Sequence, residues 1–204
     1  MRAGVRVRSS TFSFLINLPV SIVFRAGGIF MSESQKPVLY DEGLDEYPVG
    51  TVIAANLVML AWIAIGTVCC YFFNKVAAWV YLGVALLLVY VVLRRLVCVN
   101  CCYYGKRCSA GWGKLSALMF KQGRVEDFND GMGTMLAPAI YGLLTLVPLV
   151  LGTIAAIQHF SAIKPVFLAA LLLLGIYSGA ISRKRACSRC RMRGYCKGCA
   201  APAP

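Results

Sequence analysis

Residues 50–95 read GTVIAANLVMLAWIAIGTVCCYFFNKVAAWVYLGVALLLVYVVLRR, and this stretch decides the fold. No residue from 50 to 73 carries a charge. Asn74-Lys75 interrupts the apolar run, and a second run covers 76–93 until Arg94 and Arg95 stop it. A helix crossing a hydrocarbon core about 30 Å thick needs about 20 apolar residues, each adding about 1.5 Å. The stretch therefore predicts two spanning helices joined by a tight turn. Two further uncharged runs follow, at 135–157 and 166–182, the last stopped by Arg183, Lys184 and Arg185. The second and fourth runs are short, so their flanking Lys and Arg side chains are expected to snorkel to the interface. The expected fold class is an all-α membrane protein. Its four transmembrane helices form two duplicated hairpins, each followed by a short Cys-rich cassette.

Composition agrees with lipid as the solvent. Of 204 residues, 59% are hydrophobic and 14% charged, against about 25% charged in soluble domains. The net charge of +13 would point to nucleic acid in a soluble protein. Here membrane topology explains it, and no nucleic-acid partner is expected. Arg94, Arg95, Lys106, Arg107, Lys114, Lys121 and Arg124 fall between the hairpins. Arg183, Lys184, Arg185, Arg189, Arg191, Arg193 and Lys197 follow the fourth run, whereas the two opposite connections hold only Lys75 and Lys164. The positive-inside bias puts the middle loop, the tail and both termini in the cytoplasm, which makes this a multi-pass inner-membrane protein. No Asp, Glu, Lys or Arg lies in the middle of a span, which argues against a pump or an ion-coupled transporter. His159 is the only histidine, so a histidine-rich metal site is excluded.

Within this frame the segments divide as follows. Residues 1–30 contain Arg2, Arg6 and Arg8 and an apolar stretch from Phe12 to Phe24, like a signal peptide. No clean cleavage site follows, and cleavage would reverse the topology. A translation start at Met31 is the preferred expectation, with 1–30 an upstream extension. Residues 31–49 form an acidic cytoplasmic N-terminus, in which Asp41, Glu42, Asp45 and Glu46 either dock on the basic cassettes or serve as a solvated linker. Hairpin one spans 50–97 and hairpin two 134–182. Residues 98–133 hold the first cassette and an interfacial helix, and 183–204 the second cassette. Tyr71, Phe72, Phe73, Trp79 and Tyr81 are expected in an aromatic belt at the outer interface. Pro138 is expected in the first turn of the third helix, and Pro148 is expected to kink its interior. Trp112, Leu115, Leu118 and Met119 recur at helical spacing between Lys114 and Lys121, as in a helix lying on the bilayer or docking a partner.

Cys69 and Cys70 lie near the outer end of the first span and read as small hydrophobes. The other eight cysteines form two groups, Cys98, Cys101, Cys102 and Cys108, then Cys187, Cys190, Cys196 and Cys199. Aligning Cys98 with Cys187 places Arg94 on Arg183 and Cys101 on Cys190, and one gap brings Cys108 onto Cys196. This is read as an internal duplication with both copies on one side. A reducing cytoplasm disfavours disulfides, and flanking charge disfavours core packing. Metal ligation explains the spacing, because C-x-x-C turns two sulfurs toward one ion and nearby Arg and Lys offset the thiolates. All eight are candidate ligands; no catalytic residue is identified.

The run Cys187-Ser-Arg-Cys190-Arg-Met-Arg-Gly-Tyr-Cys196 resembles the C-x2-C-x5-C iron–sulfur loop of RecB-type nucleases and SPASM auxiliary domains. In those families the loop gives three ligands and a distant Cys gives the fourth. The resemblance covers ten to thirteen residues. No nuclease or radical-enzyme motif accompanies it, Cys199 stands one residue early for SPASM, and the first cassette departs further. What the resemblance implies is an iron–sulfur cluster at the second cassette, with zinc the competing metal.

Three functions follow as expectations. The first is an iron–sulfur electron-transfer accessory subunit meeting a protein partner at the cytoplasmic face. The second is a non-catalytic scaffold with zinc-stabilised cassettes that bind a partner or anionic lipid. The third is a membrane thiol enzyme using C-x-x-C as a dithiol, which the extra cysteines argue against.

Overall fold

The computed structural model describes residues 39–202. The acidic stretch from Asp41 onward falls inside these limits, whereas the proposed start at Met31 and the segment 1–30 lie outside them. All regular structure among the described residues is helical, and four helices are long and apolar enough to span a bilayer. They are α1 (Val49–Phe73), α2 (Lys75–Asn100), α4 (Gly133–Gln158) and α5 (Ile163–Ser188); the short α3 (Trp112–Met119) lies between the pairs.

Asn74 makes the first turn tight. Its backbone N–H closes α1 on the Cys70 carbonyl, and its side chain accepts from the Val76 N–H at 2.8 Å. One residue thus ends one helix and starts the next. The second hairpin closes differently, with Lys164 Nζ donating to the Ala155 and His159 carbonyls at 2.8 and 2.6 Å. Both carbonyls lie at the C-terminal end of α4, where a cation is favoured.

Helix α1 packs against α2, α4 and α5. The core joins Trp62, Ile63, Cys69 and Cys70 of α1 to Ala78, Tyr81, Ala85 and Val89 of α2, with Leu144 of α4 and Leu171 of α5. Cys69 and Cys70 are fully buried there, as small hydrophobes should be. Tyr71 and Trp79 are exposed, as the aromatic belt requires, but Tyr81 is interior, which corrects its place in that belt. Its hydroxyl donates to the Leu144 carbonyl at 2.9 Å. Leu144 lies four residues before Pro148, which has no N–H to offer that carbonyl. Tyr81 supplies the missing donor from the other hairpin.

Two boundaries differ from expectation. Helix α4 starts at Gly133, so Pro138 sits in its second turn and not the first. Helices α2 and α5 run past their basic residues and take in Cys98 and Cys187. Arg and Lys are good helix formers and suit a C-terminal turn, so charge ends the membrane-compatible run without ending the helix. Before those basic turns each helix loosens into a π-stretch, Leu88–Val92 in α2 and Tyr177–Ser182 in α5.

Candidate functional site

The eight cysteines of the two cassettes lie in one cap at the ends of α2 and α5. In each cassette the first C-x-x-C closes by a backbone turn, Cys101 N–H to Cys98 O at 3.4 Å and Cys190 N–H to Cys187 O at 3.2 Å. Tyr104 and Arg193 then donate to the Cys101 and Cys190 carbonyls, both at 3.0 Å. Lys106 donates to Tyr103 and Tyr195 to Met192, at 2.9 and 3.0 Å. The two members of every pair stand as far apart in the chain as Cys98 and Cys187, as do the starts of the π-stretches at Leu88 and Tyr177. Tyr103 and Met192, paired by the same spacing, are each 2% exposed and fill the middle of their loops. One residue of slippage later, Gly111 N–H to Cys108 O and Cys199 N–H to Cys196 O repeat a fourth turn, at 2.8 and 3.0 Å. The two loops differ here, because Gly111, at φ 71°, stands where the second cassette has Cys199.

The sulfurs sit among amide donors and near each other. Trp112 N–H donates to Cys108 Sγ at 3.1 Å. Nearby backbone amides, those of Tyr103, Met192 and Gly198, favour the thiolates of Cys101, Cys190 and Cys196. Cys101 and Cys102 lie within electrostatic reach of each other, as do Cys187 and Cys199. Cys101 and Cys102 of the first cassette face Cys190 of the second. The Cys102 sulfur raises the Cys101 thiol, and Cys101 in turn holds Cys102 below the usual thiol range. Burial pushes Cys190 up to about 12 and also raises Cys196. Among the described residues, no three His, Cys, Asp or Glu side chains converge into a ready ligand set.

A strap formed by residues 40–47 ties the cassettes together. Tyr40 and Leu44 N–H groups donate to the Arg191 and Arg189 carbonyls at 2.8 and 3.0 Å. Tyr47 N–H reaches the Arg107 carbonyl at 2.9 Å, and its hydroxyl reaches Ala186 O at 2.6 Å. Its ring lies against Tyr103, whose own hydroxyl donates to Leu44 O at 2.5 Å. Glu46 pairs with Arg107 at 2.6 Å and Asp45 with Arg191 at 2.5 Å. The acidic stretch thus docks on both cassettes. On the other side Asn129 joins the second cassette through Tyr195 O at 2.6 Å and Lys197 N–H at 3.0 Å.

Sequence patterns missed three residues that build this cap. Asn56 of α1 donates to Ala110 O at 2.9 Å and accepts from Trp112 Nε1 at 3.4 Å, anchoring the start of α3. An amide inside an otherwise apolar span was the available signal. Trp112 was expected at the lipid interface, but its ring covers Arg94 with the guanidinium carbon 3.0 Å from the centroid. Of Trp112, Leu115, Leu118 and Met119, only Leu118, 84% exposed, and Met119 are exposed. Arg94, read as a stop signal, is fully buried, whereas its counterpart Arg183 is exposed and donates to Gly198 O at 2.5 Å. No family model matches the chain, and neither a curated protein nor a solved structure is similar to it.

Proposed function

We propose that this protein is a membrane-anchored thiolate metalloprotein whose cap faces the cytoplasm, serving as an iron–sulfur electron-transfer accessory subunit. The observation that carries the reading is the meeting of two turn-closed cysteine cassettes in one cap. Cys101, Cys108, Cys190 and Cys196 are held near backbone amides, and Cys101 and Cys102 lie within electrostatic reach of Cys190. Four thiols per cassette are the donor chemistry of a four-thiolate centre, whose formation would have to draw the side chains together. Cys187 with Cys190 and Cys196 with Cys199 each lie on a closed three-residue turn, and amides near sulfur suit thiolate more than thiol. Protein groups of this kind set the potential of a thiolate-bound centre. Bound there, an iron–sulfur cluster would supply one-electron transfer. This chain's own residues would hold it, cover it with the strap and offer a basic surface to a soluble partner.

The recurrent hydrogen bonds and π-stretches support descent of both halves from one unit of hairpin, basic turn and cassette. The distribution of Lys and Arg supports the cytoplasmic placement. In the competing reading zinc rigidifies the cap as a partner-binding scaffold, and the closed paired turns are what favour it.

Anaerobic purification in detergent tests these readings. A brown protein with iron and acid-labile sulfide is expected, and Cys190→Ser and Cys196→Ser should each lose the metal of the second cassette. A colourless protein with stoichiometric zinc would establish the scaffold instead. Protein free of both metals when isolated without chelators would overturn the two readings together.

A further inference from the structure

Arg94 is an ionised side chain with no exposed surface and, among the described residues, no acidic partner. The ion pairs among the described residues use Glu46, Asp127, Asp45 and Asp130, all with other bases. Its Nε and Nη2 have no hydrogen-bond partner among the described residues. Its Nη1 points at Cys98 Sγ, 4.0 Å away, and Cys108 lies within its electrostatic reach. Trp112 covers one face and Tyr90 stands at 5.4 Å. Aromatic faces offset only part of the cost of stripping water from a guanidinium, and a buried charge without an opposite charge is strongly destabilising. Besides the phenols of Tyr90 and Tyr141, which are neutral at ordinary pH, the groups that can carry negative charge beside it are the cassette sulfurs. Neutral thiols would leave the guanidinium uncompensated. Thiolates around a divalent ion or a cluster keep a net negative charge, and so compensate it.

We infer that Arg94 is the counter-charge of a metal–thiolate centre held by the first cassette, so that the cap binds two such centres, one per cassette. The inference rests on the metalloprotein reading and adds a second site to it. Cys98, Cys101 and Cys108 match the ligand positions of the second cassette. Gly111 replaces the fourth, and Cys102, which has Arg191 as its counterpart, is the additional sulfur on hand. The second centre needs no such buried cation, because Arg183 there is open to water.

A thermodynamic cycle on the full-length chain tests this, using anaerobically purified wild type, Arg94→Met, the pair Cys98→Ala/Cys108→Ala, and the triple variant. Metal content and melting temperature in detergent are the readouts. Wild type should hold two centres, and Arg94→Met should retain only the one that depends on Cys190 and Cys196. The cysteine pair should melt lower than wild type by on the order of 5–10 °C, because it strands the guanidinium. Adding Arg94→Met to that pair should recover most of the loss. Arg94 would be only a stacked structural residue if its replacement cost the same with and without the two cysteines, or if Arg94→Met kept both centres; either result overturns the inference. Should Arg94→Met alone fail to fold, the triple variant decides: melting above the cysteine pair supports the inference, and failing as well overturns it. Metal-free wild type would instead overturn the metalloprotein reading beneath it.

Discussion

Replacing Tyr81 by Phe removes one oxygen from the middle of the bundle, and its cost should depend on a proline in another helix. The Tyr81 hydroxyl is the hydrogen-bond donor to Leu144 O, at 2.9 Å, and both residues are buried. Pro148 has deprived that carbonyl of its helical partner. Leaving a buried carbonyl unpaired costs about 1–3 kcal/mol, and measured hydrogen bonds between membrane helices average about 0.6 kcal/mol. We therefore expect Tyr81→Phe to cost about 1–2 kcal/mol. In a Pro148→Ala background the helix recovers its own N–H, and the same substitution should cost about 0.5 kcal/mol or less. The expected coupling is about 1 kcal/mol, within reach of a double-mutant cycle on reversible unfolding in mixed micelles. Additive costs for the two substitutions would refute the claim that Tyr81 repairs the proline break.

Gly43→Ala should loosen the strap, because the new methyl would lie 2.7 Å from the Arg191 backbone N and Cα. Losing two backbone hydrogen bonds and that of Tyr103 amounts to about 2–3 kcal/mol, with little from the exposed Asp45 pair. Hydrogen exchange at Tyr40 and Leu44 should then quicken roughly 30- to 140-fold. Gly50→Ala, which meets nothing within 4 Å, should leave those rates unchanged. Metal uptake by the cap should strengthen with pH. Burial holds Cys190 and Cys196 protonated at neutral pH, so loading must expel protons, each worth up to about tenfold in apparent affinity per pH unit. A flat dependence between pH 6 and about 9, measured with Co²⁺ or Zn²⁺, would show that these thiols are not displaced by metal. Asn56→Leu should free the start of α3 from α1, seen as increased exposure of Trp112 to an aqueous quencher at unchanged helix content; unchanged quenching would show that Asn56 is not the anchor.

Solvent partition made the four spans legible in the sequence, because apolar length alone separates lipid from water. The cap ends of α2 and α5 were not legible. Arg and Lys mark the edge of hydrocarbon, but helix propensity carries the backbone on through Cys98 and Cys187. Cysteine spacing revealed the two cassettes and their correspondence, since a turn of fixed length needs residues at fixed positions. Arg94 and Arg183 look equivalent in the chain, yet one is buried under Trp112 and the other is in water. Only the path of α3 across the first cassette separates them, and that path depends on Asn56 more than fifty residues earlier. Tyr81 was misplaced for the same reason. An aromatic ring near a helix end suits an interface by composition, and a proline in another hairpin is what draws it inside.

The strap also imposes an order on biosynthesis. Residues 40–47 leave the ribosome before either hairpin, while their partners Arg189 and Arg191 follow both. The contacts that close the cap therefore span nearly the whole described chain and form late, as pairings of large sequence separation do. Until the tail emerges, the strap can meet only the first cassette, through Leu44, Glu46 and Tyr47, and the surface of that cassette which later meets the second stays open beside the membrane.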